Sequence, residues 1–415
     1  MKIKRNFKVI KKRLNNGLKV IIIKNHCLDK IAAIITPHGN DTSLGSINGK
    51  KVLNGTAHFL EHRIFDTING DATDLFDNLG LSCNAETSYD YTSYYFFGSD
   101  NFLDGLKILL SMVSSLTFDE ESVEKERPII LEELNEDLND SGSLLFSQTL
   151  SNLFASSPFK DRILGDKKDI KAISKEDLYS FFETFYSPKE MILLLIGDIP
   201  SDIVSDLNAL DLPSRSAKNE FKMPEIIELE EPLRLKSTIK DKSPIPYWCI
   251  GYKFNKEIRE RFAKTQYSFS VLLDLISDIL FSEASDFKDF LKNSDFDKEM
   301  RISFESSALH DTYFLFIRGI NEEYSKMESL IRDYLQFIYD NIDEEYLSIM
   351  QKNYFGKWIV NMSSPDELYN SYLSFRELDD KFYEGYEAVF DYSLDDIRRF
   401  LKVLIDANST FVVVK

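Results

Sequence analysis

Cysteine, basic charge and histidine are all in short supply in this chain, and each shortage excludes something. The 415 residues include three cysteines, Cys27, Cys83 and Cys249, an odd number at wide spacing with no CxxC pair. A disulfide framework, a paired-cysteine metal site and a dithiol redox couple are therefore excluded, and the thiols read as reduced and buried in a cytosolic protein. Lys and Arg number 50 against 69 Asp and Glu, a net charge of -19. That field repels phosphate backbones and anionic lipid, so neither nucleic acid nor a membrane surface is expected as a partner. No run of about eighteen apolar residues occurs, and no membrane-spanning segment is expected. The opening MKIKRNFKVIKKRLNNGLKVIIIKNH is basic, but lysines interrupt its apolar stretches and no small-residue cleavage site follows. It does not read as a signal peptide, and the expected location is cytoplasmic.

What is present describes an ordinary globular chain: 43% hydrophobic, 13% aromatic and 29% charged residues, enough apolar surface to bury substantial cores. The length predicts two domains. Short β-branched runs at 17–24 and 30–36 read as two strands with a turn between them, and a helix is expected over 56–65. Another short helix over 71–78, paired strands over 82–87 and 92–97, helices over 102–116 and 120–138, and a buried strand over 191–199 complete the first half. The second helix of that pair keeps its period despite Pro128, which either kinks it or lies near its start. A stretch rich in Pro, Ser and charge then reads as a linker, giving domains at 1–212 and 236–415 joined by 213–235. The second half predicts strands over 247–254, 300–304, 312–319 and 410–414 around a long apolar helix over 262–280 and further amphipathic helices. Its element order repeats the first half, so the class is α+β, a diverged duplication with each domain a mainly antiparallel sheet packed with helices.

The chemistry concentrates in Gly55-Thr56-Ala57-His58-Phe59-Leu60-Glu61-His62. At about 100° per residue, two imidazoles four positions apart lie about 40° apart on one helix face, where both can hold one metal ion. Glu61 follows His58 by three residues on the same side, within reach of a water on that metal without itself ligating. This is the inverted form of HExxH, a zinc-peptidase signature. With five histidines in the chain, the chance expectation for HxxEH is about 0.005.

Catalytic zinc takes three protein ligands and leaves a position for water, so a third donor must come from elsewhere. His26, His38 and His310 read as ordinary residues. The acidic helix is better supplied: Glu126 and Glu133 are seven apart and fall within about 20° of one another. Spacing alone leaves Glu126, Glu132, Glu133 and Glu136 open.

GTAHFLEHRIF resembles the zinc helix of the pitrilysin (insulinase) family of metallopeptidases, which includes the mitochondrial processing peptidases and many bacterial half-size members. Asn84-Ala85-Glu86-Thr87, then Thr92 and Tyr94, resemble the family's NAxT and TxY pattern, and Glu126-Arg127 through Glu132-Glu133 resembles its ER...LEE segment. The resemblance implies an α/β-roll in each domain, the two forming half of a clamshell, with one zinc per chain on His58, His62 and Glu133 and with Glu126 supporting them. It also implies that Asn84, Ala85, Glu86 and Thr87 lie on an edge strand to which a peptide substrate adds as a further strand. Family members that work as half-size chains, or their partners, carry an Arg and a Tyr seven apart in the second half, which grip the substrate carbonyl. The corresponding stretch here is 286–301, with Leu291 at the Arg position and Lys298 at the Tyr position. A second half-size subunit supplying that pair is therefore expected, in a heterodimer or a homodimer.

The expected function is a zinc endopeptidase subunit acting on short or unstructured peptides, in degradation or precursor processing, with Glu61 as general base. The alternative is a non-catalytic core or peptide-binding subunit of a related complex; core subunits of that kind typically lose the motif that this chain keeps, and a merely structural zinc in a peptide-binding protein would be closed by a fourth protein ligand.

Overall fold

Val20 to Ile23 and Ile31 to Ile35 are unbroken apolar runs, and every one of their side chains is buried. Strands covered on both faces have this character, which places them at the centre of a sheet. In the computed structural model, which describes residues 7–27, 29–210, 212–214, 216–294 and 301–415, the first sheet has six strands: β1 (Lys8–Arg13), β2 (Lys19–Lys24), β3 (Lys30–Pro37), β4 (Ser82–Thr87), β5 (Tyr91–Gly98) and β6 (Ile192–Gly197), in the order β1-β2-β6-β3-β5-β4. β2 and β3 follow each other in the chain but are not neighbours. β6, the run ILLLIG, lies between them, parallel to β2 and antiparallel to β3. β1, too lysine-rich to stand out as a strand, forms one edge, where charged side chains discourage further pairing. β4 forms the other.

The second sheet comprises β7 (Lys236–Ile239), β8 (Tyr247–Phe254), β9 (Arg301–Leu309), β10 (Thr312–Ile320) and β11 (Thr410–Val414), ordered β7-β11-β8-β10-β9. Its senses repeat the first: β7 runs parallel to β11 as β2 does to β6, and the remaining pairs are antiparallel. The duplication is thus legible in topology, and the class is α+β.

The helices that matter below are α1 (Thr56–Ile64), α2 (Glu120–Asp137), α3 (Ser141–Leu153), α4 (Gln266–Phe281), α5 (Glu344–Asn361) and α6 (Pro365–Phe375). Pro128 lies inside α2, and the long apolar helix expected over 262–280 instead starts afresh at a Thr265–Ser268 capping box. No helix among the described residues is long and apolar enough to cross a membrane.

By its contacts the chain forms two compact units, and neither is continuous in sequence. The first holds Met1–Asn135, Asp161–Glu225 and Val360–Phe382; the second holds Glu136–Lys160, Ile226–Ile359 and Tyr383–Lys415. The sequence division into 1–212 and 236–415 contains no such exchange. α3 packs on β8 and β11, so closely that a Cβ on Gly251 would come within 2.6 Å of Thr149 Cγ2. α6, from the far end of the chain, packs on β3 and β6. Part of the expected linker is also anchored. The buried Glu228 carboxylate accepts the backbone N–H groups of Ala155, Ser156 and Ser157 at 2.8, 2.8 and 2.9 Å and faces the Lys253 ammonium at 3.5 Å. Such an oriented set of N–H groups and a cation is a site for an anion, here filled by the chain itself.

α1 begins at Gly55, whose φ of 86° is left-handed. A Cβ there would stand 2.8 Å from the Leu164 carbonyl oxygen and 2.9 Å from Gly165 Cα. The helix that carries HxxEH is therefore seated by backbone-on-backbone contact that only glycine permits. Gly55→Ala is expected to lose about 1 to 3 kcal/mol of stability, measured by denaturant unfolding of the metal-free protein.

Candidate metal centre

α1 is a nine-residue helix with seven residues buried, and it packs against α2 and the edge strand β4. Its one-face spacing works as the sequence suggests: the His58 and His62 rings lie 4.7 Å apart, centroid to centroid, inclined at 67°. α2 supplies the carboxylate. Glu133 Oε2 stands 3.6 Å from His58 Nε2 and 3.5 Å from His62 Nε2. Zinc bonds to N and O of about 2.0 to 2.1 Å in a tetrahedron put donors about 3.3 to 3.4 Å apart, close to both separations from Glu133, and the three donor atoms all lie within 4.8 Å of one another. Among the described residues, His58, His62 and Glu133 are the one group of three or more His, Cys, Asp or Glu side chains that could hold a metal. Of the carboxylates that spacing left open, Glu132 and Glu136 lie exposed.

Glu126 takes the other side of His62: the ring Nδ1 donates to its Oε1 at 2.9 Å. That bond keeps a proton on Nδ1, so when the ring gives up its other proton it is Nε2, on the Glu133 side, that offers a lone pair. The second Glu126 oxygen accepts from Arg63, which also pairs with Asp66. Arg127 secures α2 from the opposite direction, donating to the carbonyls of Ile170 and, at 2.9 Å, Ile173 while lying over the Phe59 ring of α1.

Glu61 points toward β4, where its Oε2 accepts a hydrogen bond from the Thr87 hydroxyl. Side chains alternate along a strand, so Thr87 and Ala85 face the helix layer while Asn84 and Glu86 face the other way. Asn84 is exposed. Glu86 Oε1 accepts from the Tyr369 hydroxyl of α6 at 2.6 Å, and that hydroxyl also lies 2.9 Å from Ser93 Oγ. The sequence pointed to β4 through its motif but gave no sign that Thr87 meets Glu61 or that Tyr369, nearly three hundred residues away, meets Glu86. His38, set aside from the motif, packs on Phe185 and pairs with Asp41 at 3.2 Å.

Burial governs the titration of these groups. It pushes His58 down to about 4, with the neighbouring His62 adding to the effect, and the ring stays neutral with a lone pair available to a metal. It pushes Glu61 up to about 7, opposed chiefly by the Thr87 hydrogen bond. At His62 burial works downward, but hydrogen bonds to Glu126 and Glu133 outweigh it and carry the metal-free ring up to about 9. Those bonds to His62 are also the main reason that Glu126 and Glu133 sit below the usual carboxylate range.

The chain is similar to known proteins in both halves. Residues 41–167 match the insulinase family (peptidase family M16), and residues 172–354 match the peptidase M16 inactive domain. An uncharacterized zinc protease of Bacillus subtilis, YmfH, is 27% identical over 409 residues, covering 95% of this chain and 94% of that protein. The human mitochondrial-processing peptidase subunit beta is 32% identical over 159 residues, 37% of this chain and 32% of that one. A solved structure, an M16-like peptidase from Alicyclobacillus acidocaldarius, has a TM-score of 0.86 at 22% identity over 99% of both chains, a likeness of fold. With both family domains matched in order along the chain and the HxxEH helix inside the first of them, the chain belongs to the insulinase family, peptidase family M16.

Proposed function

We propose that this protein is a zinc-dependent endopeptidase subunit that hydrolyses short or unstructured peptides. The observation that supports it most directly is the convergence of His58, His62 and Glu133 on one point with Glu61 beside them on the same helix. In this reading the three donors hold zinc, one ion per chain, and Glu126 orients His62. Zinc, when bound, supplies a Lewis acid that polarises a carbonyl oxygen and acidifies water. Glu61, whose carboxyl titrates near 7, is matched to taking a proton from the attacking water and returning it to the leaving amine. The free edge of β4 offers the main chain of Asn84, Ala85, Glu86 and Thr87 to an extended peptide, whose own backbone completes the ladder. Recognition of that kind reads extended conformation more than side chains.

The second half of the proposal is a partner. Leu291, on the short helix Phe287–Lys292, stands where the family's carbonyl-gripping Arg is expected; Lys298, at the Tyr position, lies outside the described residues. A second half-size subunit would supply the pair and share the site. The same observation favours the second reading, a peptide-binding subunit that does not cleave. Three free cysteines support placing the protein in the cytoplasm.

Purified protein is expected to carry about one zinc, lost in His58→Ala and His62→Ala, mostly lost in Glu133→Gln and kept in Glu132→Gln. Glu61→Gln should keep the metal and lose peptide cleavage; a Glu61→Gln protein that still cleaves would remove its assigned role. The pH dependence follows from His62, whose metal-free value is raised from 6.5 to about 9. Its proton stabilises the metal-free fold fully below 6.5, and that contribution is lost as pH climbs through 9. At pH 7.5 zinc must therefore expel about one proton per ion, and the release should fall as pH approaches 9, as calorimetry in buffers of different ionisation enthalpy will measure. For the partner, cleavage of an unstructured peptide should rise about 100-fold or more when the chain is mixed with a related subunit that lacks HxxEH but carries the Arg and Tyr. Full activity from the isolated chain refutes the shared site.

A further inference from the structure

Arg63 follows the second imidazole directly and is only 6% exposed. A guanidinium so deeply placed needs charged partners to be stable there. It has two, from different segments: one terminal nitrogen donates to Glu126 of α2 and the other pairs with Asp66 just beyond the end of α1. Its planar head lies over the Phe118 ring, 6.0 Å from the centroid. Its Nε is buried with no hydrogen-bond partner, so the side chain has settled where the two carboxylates hold it rather than where every donor is satisfied.

Glu126 is the link to the metal site. Its Oε2 accepts from Arg63 and its Oε1 from His62 Nδ1 at 2.9 Å. Two consecutive residues of α1 thus grip one carboxylate of α2. With one oxygen fixed, the carboxylate cannot rotate away from the ring, the proton stays on Nδ1, and Nε2 keeps facing Glu133 at 3.5 Å. Among the described residues Arg63 is the partner that holds Oε2, and without it Glu126 can turn toward solvent.

We propose that Arg63 is a positioning residue of the metal site, fixing through Glu126 the tautomer and direction of the His62 ring. It touches neither metal nor substrate, and the assignment rests on the reading of His58, His62 and Glu133 as zinc ligands.

The test uses the full chain and two readouts, zinc affinity by competition with a chromophoric chelator and the thermal midpoint of the metal-free protein. The variants are Arg63→Met, which keeps the apolar stem against Phe118, Arg63→Lys, Glu126→Gln, and Arg63→Met combined with Glu126→Gln. Arg63→Met should bind zinc about 10- to 100-fold more weakly, the range seen when a metal ligand loses its supporting partner. Arg63→Lys should recover part of this, because one ammonium cannot fork between two carboxylates. The double variant should be little weaker than Glu126→Gln alone, since the effect passes through that carboxylate. Unchanged affinity in Arg63→Met, or losses that simply add in the double variant alongside a lowered metal-free midpoint, overturn the proposal. If Arg63→Met does not fold, Arg63→Lys with and without Glu126→Gln gives the same comparison. Wild-type protein that binds no zinc removes the ligand assignment and this proposal with it, whereas tight zinc binding by wild type and all Arg63 variants removes this proposal alone.

Discussion

Two imidazoles and a carboxylate have been taken out of water on a single helix of nine residues, and the surroundings are organised around that desolvation. Left alone, such groups would shed their charge or force the helix outward. Two of the three are met from another part of the chain, Glu61 by Thr87 and His62 by Glu126 and Glu133, and Glu126 is held in turn by Arg63, whereas His58 Nδ1 is buried with no hydrogen-bond partner. The helix is seated from below by the Gly55 and Gly165 backbones and clamped from the side by Arg127 over Phe59. The result is a cluster in which burial keeps the His58 ring neutral and pushes the Glu61 carboxyl up to about 7.

The second unit repeats the frame with different contents. α4 lies against the edge strand β9 as α1 lies against β4, and a single acid, Asp274, accepts from Ser306 of β9 at 3.3 Å and from Tyr354 of α5 at 3.2 Å. Burial pushes that carboxyl up to about 6, much as it raises Glu61. A turn further along, Asp278 is paired with Lys357 at 2.8 Å. α4 carries no imidazole and buries eight apolar side chains. This corner of the second unit holds an acid that accepts from a strand hydroxyl but has no imidazole on its helix, in keeping with the chain's match to the inactive domain of the family.

How much could be read in advance divides along a physical line. The HxxEH helix was legible because its ligands lie within one helical turn, where periodicity fixes geometry. Spacing alone left four glutamates of α2 open as the third donor; the family resemblance implied Glu133, and tertiary packing brings that residue to the two imidazoles. Strands flanked by turns were legible; their neighbours were not, and β6 entered between β2 and β3 although it arrives about 155 residues later in the chain. Glu228 was read as linker because extended polar backbone has no period, yet its carboxylate fills a nest of three N–H groups.

The exchanged helices decide what the gene can tolerate. A cut in the region 213–235 would leave the upstream fragment holding α3, with buried Leu145, Leu150 and Leu153 and no sheet of its own to cover, while lacking α6. The downstream fragment would have the converse defect, α6 without its sheet and β8 and β11 uncovered. Neither piece is a self-sufficient folding unit, but each carries what the other is missing, so the two belong to the kind of chain that reassembles by fragment complementation.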